Sequence, residues 1–285
     1  MIPDTPFHPA ASPQAIAIWN DVVAPKYARY ERVLVESATL HSDQIWDRFL
    51  VTRDDHVVDV GCGFGDTSER LAQRTRRVTG IDCSTALLSQ AEERYGQVRN
   101  LEFVLGDAGR YTPTTAVQAC FSRFGLMFFE RPVQTLKHLR SWLVPGALFG
   151  CLVWRARREN PWLDLAHRAV LEVLPPVAEE APNCGPGPFS MADEETLTAQ
   201  LRAAGFHSVT FEGIEVDVNI GVDLNEAVEF QFAMGPAGEV VRHAEQAGRP
   251  GLERARENVR RVLSRFEGPD GVNLGSASWW VTARA

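Results

Sequence analysis

Cysteine is scarce and follows no pairing pattern. The five present, Cys62, Cys83, Cys120, Cys151 and Cys184, are odd in number and form no CxxC. Neither a disulfide framework nor a zinc site is indicated, and a reducing cytoplasm is the simplest home. Positive charge is also in deficit, with 29 Lys and Arg against 37 Asp and Glu and a formal net charge of -8. Nucleic acid and anionic lipid both need a basic surface to displace their counterions, so neither is expected as a partner. The local basic clusters, Arg74, Arg76 and Arg77, and Arg254, Arg256, Arg260 and Arg261, alternate with acids or recur at helical spacing and read as solvated faces. Long apolar runs are missing. The longest, residues 142–154, is interrupted by Pro145 and Gly146 and is too short to span a bilayer. The opening MIPDTPFHPAASPQ has no basic segment leading into an apolar one, so no signal peptide is expected. There is no internal repeat and no low-complexity tract.

What is present is an ordinary globular balance, 45% apolar and 23% charged over 285 residues. That is enough to bury a sizeable core, and the length suits an α/β enzyme with insertions. Residues 15–48 carry the spacing of one or two amphipathic helices, broken near Pro25. The period then changes. Residues 56–60 (HVVDV) form a short β-branched run, followed by a glycine loop and a helical stretch over 66–74. Strands are predicted over 77–81, 101–105 and 116–121, and Ser84 is placed to cap a helix running to about Tyr95. A helix over 132–143 starts on Pro132 and stops before Pro145-Gly146. Residues 147–154 are nearly all apolar, as in a parallel strand buried on both faces. The regular alternation of strand and helix predicts a doubly wound, mostly parallel sheet.

After Trp154 the rhythm breaks. One helix near residues 161–174 and a Pro/Gly-rich loop fill 155–190. A helix over 193–204 then ends at Gly205, followed by a strand near 209–218. A helical stretch over 225–266 precedes a last strand over 276–283. The expected organisation is one domain over 1–285, with cap elements at 1–48, 155–192 and 221–272 lying over one edge of the sheet.

In an open parallel sheet, ligands bind beyond the carboxyl ends of the strands. Each notable motif here falls at such an end. Gly61-Cys62-Gly63-Phe64-Gly65 follows the first strand, and glycine there admits positive φ and close approach of a ligand to the backbone. Asp82 ends the second strand about twenty residues on, where a carboxylate can accept both hydroxyls of an adenosine ribose. Gly106-Asp107-Ala108 follows the third strand and offers an acceptor for an adenine amino group. Asp107 equally suits an Asx-turn. In a dinucleotide G-x-G-x-x-G the third glycine would stand at position 66, where this chain has Asp66. A carboxylate at a helix start repels a pyrophosphate, so the loop suits a cofactor without phosphate.

The stretch VVDVGCGFGDTS resembles motif I of the class I, Rossmann-like methyltransferases. GIDCSTALLSQAEER resembles their ribose-binding strand and following helix. SRFGLMFFERP, LKHLRSWLVPGALFGCLVWR and GPFSMADEETLTAQLRAAGF resemble a bacterial branch related to the ubiquinone and menaquinone methyltransferases. The resemblance covers about residues 19–206. It implies a seven-stranded sheet and S-adenosylmethionine as cofactor. It places Asp59, Gly61, Gly63 and Gly65 on the methionine side of that cofactor, Asp82 on the ribose, Asp107 and Ala108 on the adenine edge, and Ser122 near the sulfonium. One departure is Gln118, where relatives usually carry an aspartate four residues before the serine.

The implied activity is methyl transfer to C, N or O of a small molecule, with an aromatic or polycyclic metabolite of bacterial secondary metabolism as the expected acceptor, by a cytoplasmic monomer or homodimer. A nicotinamide oxidoreductase and a non-catalytic S-adenosylmethionine-binding scaffold are the alternatives. Tyr27, Tyr30 and His167 are the candidates for a base or acceptor clamp. The two tyrosines are three residues apart and so share a helix face. Trp19, Trp154, Phe128 and Trp162 give an aromatic character suited to an apolar acceptor, although core packing would also explain them. Arg123 could bind an anion or pair with a structural acid.

Overall fold

The computed structural model describes residues 12–176 and 187–285. Cys184 and part of the Pro/Gly-rich loop lie outside these residues, as do the outermost part of the first cap element and the middle of the second. The chain enters through α1 (Pro13–Ile18), a π-helical turn (Trp19–Val23), α2 (Ala24–Arg29) and α3 (Glu31–Asp43). Pro25 sits in the first turn of α2 and so starts a helix rather than breaking one. The βα alternation follows: β1 (His56–Val60), α4 (Asp66–Ala72), β2 (Arg77–Asp82), α5 (Thr85–Tyr95), β3 (Leu101–Leu105), β4 (Val117–Arg123), α6 (Pro132–Trp142) and β5 (Leu143–Trp154). Then come α7 (Pro161–Leu171), α8 (Glu194–Ala203), β6 (His207–Gly221), α9 (Leu224–Ala233), α10 (Gly235–Gln246), α11 (Leu252–Leu263), β7 (Glu267–Gly268) and β8 (Gly271–Arg284). The Ser84 side chain caps α5 by accepting from the Leu87 amide, and Gly205 closes α8 with φ +95°.

The sheet order is β3-β2-β1-β4-β5-β8-β6, with β7 paired to β8. β3 through β5 are parallel, and β8 runs antiparallel between β5 and β6. An eighth strand, the two residues of β7, is added to the expected seven by a tight hairpin against the start of β8. The predicted helical stretch over 225–266 is three helices. Gly235, at φ +64°, separates the first two, and Gly251, at φ +108°, caps the third.

Alternation along the central strands feeds two apolar layers. Val58, Cys120 and Val153 face the layer of α6–α11, whereas Val57, Ala119 and Leu152 face Trp46, Phe49 and Leu71. Both faces of the parallel core are therefore covered. Gln118, at an irregularity in the β4–β5 register, accepts the His56 amide at 2.9 Å, a structural contact at the head of the sheet. The N-terminal helices and the insertions reach the edge of the sheet, where α3 and α9 pack on β6 and α7 on β8. α7 also packs on α10 and α11, and residues of α1–α3, α7, α9 and α10 line the space beyond the carboxyl ends of the strands. The chain reversal that creates the sheet's switch point leaves that end open, so the apolar faces of the insertions bury themselves there.

Candidate active site

Beyond the carboxyl ends of β1–β5 lies a cavity of about 1650 Å³. Ligand pockets commonly hold about 300–1,000 Å³, so this one has room for two small molecules side by side. One half is lined by the strand-end loops and the other by side chains of α1–α3, α7, α9 and α10.

The loop half is organised by backbone. The amides of Gly61 and Cys62 donate to the Ile81 carbonyl at 2.8 and 3.2 Å, tying the glycine loop to the end of β2. Gly63 has φ +53°, and a Cβ there would meet nothing within 4 Å, so this residue presents bare backbone to the cavity. Its amide donates to Asp82 Oδ2 at 2.9 Å while the Ser84 amide donates to Oδ1 at 2.8 Å. The Asp82 carboxylate is thus held between two loops, with lone pairs left on both oxygens for further donors. Burial pushes its carboxyl above the usual range, and the backbone amides oppose that shift. Asp107 and Ala108 line the same half, and Asp107 Oδ1 accepts the Gly109 amide at 2.8 Å in an Asx-turn, the alternative reading of that residue, while the side chain still faces the cavity.

Three residues expected at the cofactor stand behind this surface. Gly65 has φ +83°, and a Cβ there would come 2.7 Å from the Phe103 ring, so glycine is required to seat α4 against β3. Ser122 is buried and donates its hydroxyl to the Val60 carbonyl at 2.7 Å, stitching β4 to the end of β1. Asp59 is buried within β1, where Ser68 donates to its Oδ2 at 2.7 Å and its Oδ1 has no partner among the described residues. Burial pushes its carboxyl up to about 7.

The catalytic candidates separate. Tyr27 and His167 line the cavity, but Tyr30 does not. The helix turns at Tyr30 (φ -109°, ψ 24°), which ends the shared face with Tyr27. The Tyr30 hydroxyl donates to the Glu229 carbonyl at 3.1 Å, and its ring meets Phe230 edge-on at 5.5 Å. It joins the N-terminal helices to α9. Burial, reinforced by the Asp82 charge, pushes the Tyr27 hydroxyl up to about 12. It therefore stays protonated at neutral pH, which makes it a hydrogen-bond donor rather than a base. Trp19, Phe128, Trp154 and Trp162 all face the cavity.

Three further features shape the site, and of their residues Asn20 and Phe124 were not singled out from sequence. Arg123 and Asp66 form a largely buried ion pair at 2.6 Å, which resolves the two readings of Arg123 in favour of the structural acid and leaves a carboxylate at the start of α4. Asn20, in the π-helical turn, donates to the Cys83 carbonyl at 3.3 Å and accepts the Thr85 amide at 2.8 Å, clamping the N-terminal helices to the loop that carries Asp82. The Asn20 side-chain amide also donates to the Ile16 carbonyl one turn back at 2.9 Å, and no local signal marks the two contacts that reach more than sixty residues away. Phe124 holds φ +59°, a left-handed conformation that costs a side-chain-bearing residue about 1–2 kcal/mol. Its position before Gly125 is the only hint the sequence offers.

Residues 57–146 match the model of a methyltransferase domain. Curated relatives include trans-aconitate 2-methyltransferase of Variovorax paradoxus, 31% identical over 58% of this chain and 57% of that enzyme. The enzyme of the same name from Escherichia coli O157:H7 is 29% identical over 42% and 45% respectively. The chain thus spans about half the length of the curated relatives it matches. Among solved structures, the YcgJ protein of Bacillus subtilis superposes with a TM-score of 0.55 at 10% identity, covering 86% of this chain and 97% of that one. Phosphoethanolamine N-methyltransferase 2 of Haemonchus contortus, in complex with phosphomonomethylethanolamine and S-adenosylhomocysteine, does so at 0.55 and 13% identity, over 96% and 60%. At such identities the likeness speaks for the fold.

Proposed function

We propose that this chain, whose residues 57–146 are a methyltransferase domain within a class I methyltransferase fold, transfers a methyl group from S-adenosylmethionine to a small molecule. The observation that carries the reading is the Asp82 carboxylate pinned between the Gly63 and Ser84 amides, beside backbone that no side chain covers. A ribose diol needs two acceptors fixed in one plane, and this carboxylate supplies them. The donor set fits the cofactor at its other end too. Burial holds the Asp59 carboxyl up at about 7 with one oxygen unpartnered among the described residues, and an amino-acid ammonium nearby would favour its ionised form. Asp66, paired to Arg123 at the start of α4, keeps that helix end from accepting a phosphate.

S-adenosylmethionine, when bound, would supply the methyl group on a sulfonium that departs as the neutral thioether, and an O–H or N–H acceptor would have to give up its proton. With the donor already activated, the work left to the protein is alignment and exclusion of water. Gly61, Gly63, Asp82, Asp107 and Ala108 hold the cofactor. Asp59, Gly65 and Ser122 shape the loop from behind. Tyr27 donates a hydrogen bond from its protonated hydroxyl, and His167 is the side chain placed to take a proton on the acceptor side. The acceptor is an aromatic or polycyclic metabolite, enclosed by a single domain whose caps are residues 1–48, 155–192 and 221–272.

Calorimetric titration with S-adenosylmethionine, S-adenosylhomocysteine and NADPH, followed by transfer of labelled methyl to extracted metabolites, tests this. Binding of the two sulfur compounds and labelling of an acceptor are expected. Binding of NADPH alone would overturn the cofactor, and binding without transfer to any acceptor would overturn the activity.

A further inference from the structure

The acceptor half of the cavity carries an unusual wall. Phe124, at the end of β4, and Trp154, at the end of β5, stack with ring centroids 3.7 Å apart and planes 11° from parallel. The wall continues through Trp162, 5.3 Å from Trp154, to Phe230, which stacks on Trp162 at 6.2 Å. All four residues line the cavity. Phe124 is held in the left-handed region, where its ring gives no backbone benefit and Gly125 stands next to it, free to take such a turn. Strain retained at a cavity wall points to a use for the ring itself.

The wall is also braced. His41 meets Phe124 and Trp154 edge-on at 5.7 and 5.1 Å. Its two nitrogens are engaged by Ser276 and Ser278 at 2.9 and 2.8 Å. Burial pushes its pKa down to about 4, so the ring under the wall stays neutral.

Charge around the cavity argues in the same direction. Carboxylates outnumber Lys and Arg nine to five among the lining residues. Arg123, Arg155 and Arg157 are engaged by Asp66, Glu159 and Asp164, Lys26 donates to the Ala233 carbonyl at 3.0 Å, and Arg158 sits exposed on the rim. A polyanion entering here would meet net negative charge and cations already committed to other partners, while giving up its own hydration.

We infer that the acceptor site takes an uncharged planar aromatic molecule lying along the Phe124–Trp154 wall, that Phe124 determines this specificity, and that a polycarboxylate is rejected. The inference rests on the methyltransferase reading above, and it separates this chain from its relatives named for trans-aconitate. The test uses the full-length protein saturated with S-adenosylhomocysteine and titrated with 2-naphthol and with trans-aconitate, followed by tryptophan fluorescence and calorimetry. Saturable binding of 2-naphthol is expected, with none for trans-aconitate over the same range. Phe124→Ala should weaken 2-naphthol about tenfold or more, and Phe124→Tyr should retain it. Phe124→Gly removes the ring while suiting the left-handed backbone, so it supplies a folded variant if the alanine one is unstable. Saturation by trans-aconitate, or unchanged 2-naphthol affinity in Phe124→Gly, overturns the inference and leaves the methyltransferase reading standing. Failure of S-adenosylhomocysteine to bind overturns both.

Discussion

The two halves of the cavity are built by different means. The cofactor half is made of backbone amides and the carboxylates of Asp82 and Asp107, all at the ends of strands, and its key contacts join residues no more than about twenty apart. The acceptor half is made largely of side chains brought from α1–α3, α7, α9 and α10, and contacts such as Trp162 with Phe230 and Asn20 with Thr85 join residues more than sixty apart. Backbone geometry at a strand end is dictated by short-range constraint, so the first half is rigid and nearly generic. Side-chain packing across insertions is free to vary, so the second half carries whatever is particular to this protein.

The sharpest way to break the comparison is to strike the cofactor half. Asp82→Ala should lower S-adenosylmethionine affinity by about a hundredfold or more, because the loop amides lose their shared acceptor as the ligand loses its own. Calorimetry should show that loss with the thermal transition close to wild type; affinity within a fewfold of wild type would remove Asp82 from the site. Gly65→Val tests the loop from behind. It combines a φ of +83° with a Cβ 2.7 Å from Phe103, and should destabilise the fold by about 2–4 kcal/mol, read as a lowered denaturation midpoint.

On the other half, Tyr27→Phe should slow turnover about tenfold while cofactor affinity changes less, since one hydrogen bond is removed and the ring is kept. Equal losses in both would move Tyr27 to the cofactor side. Asn20→Ala, at the seam between halves, should weaken cofactor binding a fewfold by releasing the N-terminal helices from the Asp82 loop. Wild-type binding there would show the halves to be independent.

The smallest effect concerns Asp59. Its carboxyl keeps a proton to about pH 7 in the fold and gives it up near a pKa of about 3.9 when unfolded. The folded state therefore binds more protons between those values, and stability falls as pH rises through that window. Ser68 and Arg123 oppose the shift, while Asp66 and Asp82 add to it. Without cofactor, the melting temperature of the wild type should drop between pH 5 and 7.5, and Asp59→Asn should flatten that slope. An unchanged slope would mean that Asp59 is ionised throughout.

Legibility followed the same division. β1, α5 and β3 stand where period, capping residue and β-branching place them, because hydrophobic alternation and local hydrogen bonding are written residue by residue. Gly65 and Ser122 have the residue types a ligand loop requires, yet Phe103 and the Val60 carbonyl, both remote in sequence, are what they meet. Tyr30 left the cavity because the helix turns at that residue, a bend that residue spacing alone does not reveal.

The amino-acid sequence by itself determined the alternating α/β frame, the glycine loop and the carboxylate that faces it, since each depends on neighbours a few residues away or on the next strand. Only the tertiary structure decided that Arg123 is spent on Asp66, that Tyr27 and not Tyr30 reaches the cavity, and that Phe124 and Trp154 stack into one wall. Those outcomes depend on which distant surfaces bury each other. Burial is a property of the whole packed chain, and no local pattern encodes it.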